Sequence, residues 1–86
     1  MLAYGHEWNS QGQLPQTLRE VSLDCSREEL DQLIEFLRSV REESAGAELD
    51  SLSHWHYRDW NPDWTEKHSD FIILLSDHHV WTKETD

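Results

Sequence analysis

One cysteine, three glycines, two prolines and seven basic residues are all that 86 positions hold of these types, and most of these shortages exclude a class of protein. Cys25 alone can form no internal disulfide and supply no cysteine-based zinc site, which agrees with a reducing, cytoplasmic setting. The sequence contains neither GxGxxG nor a Walker sequence, so phosphate is not cradled by a glycine-rich loop. Eighteen acidic residues give a formal charge of −11, and that field repels a nucleic-acid backbone. Long apolar runs are also missing. The longest, Phe71 to Leu75, falls far short of the roughly 18 residues of a membrane span, and no basic stretch precedes an apolar one at the N-terminus. The expected partner is neither nucleic acid nor membrane.

Residues 1–86 read as a single domain, short enough to bury only roughly 60 to 65% of its unfolded surface. With 36% hydrophobic residues the core is thin, so large residues such as the five tryptophans must contribute to it. The clearest element starts at Ser26, which together with Glu29 forms the S-x-x-E pattern of a capping box. Leu30, Leu33, Ile34, Leu37 and Val40 then recur at helical spacing, predicting a helix to about Glu43 with one core-facing stripe. Gly46 suits a left-handed exit.

Around this helix the pattern is that of strands. Arg19, Val21, Leu23 and Cys25 alternate with Glu20, Ser22 and Asp24, as in a half-buried strand with Cys25 turned toward the core. Leu2 to Trp8 reads as an earlier strand, joined to it through the polar residues Asn9 to Gln13. Ser53 to Arg58 reads as a third, because aromatics alternate with polar residues, and Phe71 to Ser76 as an interior fourth. Residues 78–83 continue or fray from it. The expectation is an α+β, two-layer domain in the order strand-strand-helix-strand-strand. Its four-stranded sheet carries the helix on one face and leaves the other free.

Chemistry is sparse. No pattern pairs two carboxylates across a cleft, and Cys25, turned inward, is a poor nucleophile, so no catalytic residue is expected and the protein reads as a non-enzyme without a cofactor. His54 and His56 project from the same side of a strand, so two imidazoles could share a metal ion if His6, Asp59 or His78 completed the set. The alternative is an exposed pair that hydrogen-bonds to acids. Trp60 and Trp64 flank Asn61-Pro62-Asp63, either as anchors that insert into a partner or as lids on a small core. Asp59, Trp60, Asp63, Trp64, His54 and His56 are therefore the candidate partner-binding residues.

Leu2-Ala3-Tyr4-Gly5, Leu18 to Leu23, Ser26 to Leu30, His54-Trp55-His56-Tyr57-Arg58-Asp59 and Asp70 to Leu74 together resemble the immunity protein 32 family of polymorphic toxin systems. The features matched are the His54 and His56 strand, the following Tyr57 and the acid Asp59; the tryptophan-bearing connection from Trp60 to Ser69 departs from the family pattern. The resemblance implies a non-enzymatic protector that binds and masks a toxin domain. An acidic surface fits a basic toxin or effector, since complementary charge raises association rates from about 10⁵–10⁶ toward 10⁸–10⁹ per molar per second. A homodimer through the free sheet edge or face is a further expectation.

Overall fold

The computed structural model describes residues 1–8, 12, 14–46, 48–49 and 53–75. Its elements run β1 (Ala3–Gly5), β2 (Gln16–Leu18), α1 (Arg27–Ser44), β3 (His54–His56), α2 (Tyr57–Trp60) and β4 (Ile72–Leu74). The α+β class holds, with one main helix. The expected four-stranded sheet is instead two antiparallel ribbons: β1 with β2, in the register Ala3–Leu18, and β3 with β4, in the register Trp55–Ile73. No helix among the described residues is long and apolar enough to cross a membrane.

α1 begins where the S-x-x-E pattern places it. The Ser26 hydroxyl accepts from the Glu29 amide at 3.1 Å, and the Glu29 carboxylate accepts from the Ser26 amide at 2.9 Å. The bond from the Ser26 amide first, and the Ser26 hydroxyl beside the carboxylate second, hold the Glu29 carboxyl below its ordinary value. Two donors that the first helical turn would leave unpaired are thereby satisfied. At the other end Ala45 closes the helix on the Glu42 carbonyl, and Gly46 follows with a φ of 75°, the left-handed region that suits glycine.

The buried stripe of α1 differs from the one read by spacing. Phe36 is 1% exposed and Val40 4%, whereas Leu30, Ile34 and Leu37 are exposed, Leu37 by 40%. The apolar residues cover an arc wider than the helix can bury, and the largest ring decides which part turns inward. Phe36 meets Tyr57 edge-on at 5.3 Å and Trp60 at 5.8 Å, while Tyr57 and Trp60 stack at 5.9 Å. Each such pair adds about 0.5–1.5 kcal/mol beyond the area it buries, so this cluster fixes the roll of α1 against α2.

The strand expected over residues 19–25 is likewise replaced. β2 ends at Leu18, and residues 20–26 run on without pairing, turn or bend, leaving Val21, Leu23 and Cys25 exposed. Alternation defines a face but supplies no neighbour, and no strand lies alongside this segment among the described residues. β3 is shorter than expected because Tyr57 opens a helical turn. β4 is not interior: Phe71, Ile73 and Leu75 are half-buried, while Ile72 and Leu74 are exposed. Most of the Asn9 to Gln13 connection and all of residues 76–86, with His78, His79 and Trp81, lie outside the described residues.

Candidate functional site

The β3–β4 ribbon sorts its side chains by parity. His54 and His56 stand opposite Leu74 and Ile72, so two imidazoles and two aliphatic side chains share one face. Trp55 and Ile73 project from the other face, on the side of Phe71 and Leu75. The histidine face is the uncovered one: Leu74 is 64% exposed. The two imidazoles lie edge to face, 5.2 Å between centroids.

His56 is anchored from below. Its Nδ1 lies 2.5 Å from Asp70 Oδ2, and Asp70 Oδ1 accepts from the amides of Arg58 and Phe71, each at 2.9 Å. Burial works against the Asp70 charge, but the His56 and Arg58 hydrogen bonds and the nearby charges of His56 and Arg58 outweigh it. The carboxyl is held below its ordinary value. With the Tyr57 amide donating to the Phe71 carbonyl at 2.8 Å, these bonds end the ribbon and begin α2.

The loop after α2 is braced from within. Asn61 is 6% exposed, and its Nδ2 donates to the Tyr57 hydroxyl at 2.7 Å and to Gln32 Oε1 at 3.2 Å, tying the loop to α1. Its Oδ1 accepts from the Asp63 amide at 2.9 Å, an Asx turn of the kind that Asn-Pro-Asp favours. Trp64 is half-buried and its indole N–H donates to the Ser69 carbonyl at 3.0 Å, closing the loop on itself.

The six expected contact residues therefore fall in two places. His54, His56, Asp59 and Trp60 line one cleft of about 370 Å³, together with Phe36, Glu43 and Trp55. Asp63 and Trp64 line a second, of about 560 Å³, between the Ser22 to Cys25 segment and the loop. Trp60 packs on Phe36 and Tyr57, and Asp59 pairs with Arg58 at 3.5 Å. Sequence reasoning gave Asn61 no role beyond connection and Asp70 none beyond its place in the family resemblance. The Asn-Pro-Asp signature could have exposed the first, but the second depends on a pairing 14 residues away. Among the described residues no three His, Cys, Asp or Glu side chains are placed to hold a metal ion, and His78, one of the residues expected to complete the His54 and His56 pair, lies outside them.

No curated protein and no solved structure matches the chain. The family model described as immunity protein 32 matches residues 20–77, a span that runs from the segment before α1 through β4 and so includes both clefts. Two thirds of the sequence lies within that match, and the chain belongs to the immunity protein 32 family.

Proposed function

We propose that this chain is a non-enzymatic immunity protein that acts in the cytoplasm by binding and masking a basic toxin or effector protein. The observation that carries this reading is the uncovered β3–β4 face, where His54 and His56 stand with Ile72 and Leu74. Aliphatic side chains exposed beside anchored polar groups make a surface that gains from being covered. His56, held by Asp70, presents a fixed edge rather than a mobile one, which lowers the entropy lost on binding.

The acids give the surface its preference. Asp59 is exposed beside it and Asp63 is exposed at the second cleft, and the net charge of −11 steers a basic partner toward the chain. Trp60 and Trp64 support the contact, offering the uncovered parts of half-buried indoles as rigid apolar patches. The reading is tested by expressing the products of the genes that flank this one and titrating any toxic one into the full chain in a calorimeter, with a growth-rescue assay alongside. Tight binding that weakens steeply with salt, together with rescue, supports it. A toxin that neither binds nor is neutralised removes it.

A further inference from the structure

The segment from Val21 to Cys25 has the pattern of a strand but pairs with none among the described residues. It alternates apolar and polar residues and runs without turn or bend. Among the described residues its backbone groups make no hydrogen bond at all. Unpaired amides and carbonyls in a straight run form an open template for another strand.

This segment also forms one wall of the 560 Å³ cleft. Leu23, Leu33, Trp64 and Phe71 supply its apolar lining, and no lysine or arginine borders it. Asp24, Glu29, Asp63 and Asp70 contribute carboxylates, of which Asp24 and Asp63 are exposed and make no ion pair among the described residues. An occupant matching both features has alternating apolar and cationic side chains and an extended backbone.

We propose that Val21 to Cys25 is a strand-docking edge that captures an extended segment of the partner protein, with lysine or arginine alternating with aliphatic residues. The captured backbone pairs with Val21 to Cys25. Its apolar side chains enter the cleft toward Leu23 and Trp64, and its cations reach Asp24 and Asp63. The site deepens the immunity reading, because it names the part of the partner that is recognised, and it is a different cleft from the one that His54 and His56 line, with Asp70 between the two.

The test uses the full chain and an octapeptide of alternating lysine and valine, with a peptide of identical composition in block order as control. Binding is followed by calorimetry and by amide hydrogen exchange. The alternating peptide is expected to bind at least tenfold more tightly and to slow exchange at residues 21–25 at least tenfold. Val21→Pro and Leu23→Pro, which remove donors from a segment that makes no backbone pairing among the described residues, are expected to abolish that gain while leaving the melting temperature unchanged. Equal binding of both peptides, protection confined to β3 and β4, or no binding overturns the proposal. Concentration-dependent protection of residues 21–25 without peptide also overturns it, since the occupant is then a second copy. A toxin that is neutralised while these amides keep exchanging defeats this inference alone, whereas failure of the toxin to bind defeats the immunity reading.

Discussion

Asn61, near the middle of the 53–75 segment, donates its side-chain amide to Gln32 on α1 at 3.2 Å, and the Tyr57 hydroxyl stands within 3.4 Å of the same Gln32 oxygen. The bonds of this polar triad hold the two halves of the chain together beside the aromatic cluster. Asn61→Ala is expected to cost about 1–3 kcal/mol, because the Tyr57 and Gln32 groups lose a partner inside a half-buried site. Urea denaturation measures it. A double-mutant cycle with Gln32→Ala should return a coupling of about 0.5–1.5 kcal/mol.

The roll of α1 is tested by comparing two neighbours. Phe36→Ala removes the ring that Tyr57 and Trp60 pack against and is expected to cost about 3–5 kcal/mol, enough to unfold much of a domain this small. Leu37→Ala, at a position already 40% exposed, should cost less than about 1 kcal/mol. Equal losses at the two positions would mean that Leu37 is as buried as Phe36. Thermal melts followed by tryptophan fluorescence suffice.

Ser26→Ala removes one side of the capping box. The expected loss is about 1 kcal/mol, because the Glu29 amide then has no acceptor in the first turn. Circular dichroism against temperature reads the change, and Ser26→Asp should recover most of it.

The Asp70 carboxyl is held below its ordinary value, so it contributes stability when ionised. For a lowered carboxyl the sign is fixed. The contribution is complete above the unfolded-state value and disappears as pH falls through the lower folded-state value. Melting temperatures of the wild type and Asp70→Asn should therefore differ most near pH 7 and converge toward pH 2. Parallel curves over that range would detach His56 and Arg58 from the Asp70 charge.

What the sequence disclosed and withheld follows from the range of the interactions. The start of α1 was legible because Ser26 and Glu29 are three residues apart and complete their own cap. The His54 and His56 pairing on one face followed from strand parity alone. The burial of Phe36 was not legible: its spacing puts it at the margin of the apolar arc, and only Tyr57 and Trp60, more than 20 residues on, make that margin the core. Strand alternation at Val21 to Cys25 was read correctly as a pattern and wrongly as a pairing, since a pattern carries no information about the neighbour. The candidate contact residues suffered the same limit. Asp59 to Trp64 look like one loop surface, yet Asn61 turns inward and divides them between two clefts.

The exposed aliphatic pair on the ribbon separates recognition from folding. Ile72 and Leu74 lie across from His56 and His54 and contribute little to the interior, so Ile72→Thr and Leu74→Thr should each shift stability by less than about 0.5 kcal/mol. Threonine keeps the β-branching of Ile72 and replaces Leu74 with another strand-compatible side chain, so any loss of partner binding arises at the contact and not in the fold. If this face covers a toxin, the double variant should weaken binding at least tenfold, mainly through faster dissociation, with association still governed by charge. Surface plasmon resonance at two salt concentrations distinguishes the two rates. An unchanged dissociation rate would move the contact away from β3 and β4, leaving the acidic cleft as the surface to examine by the same kinetics.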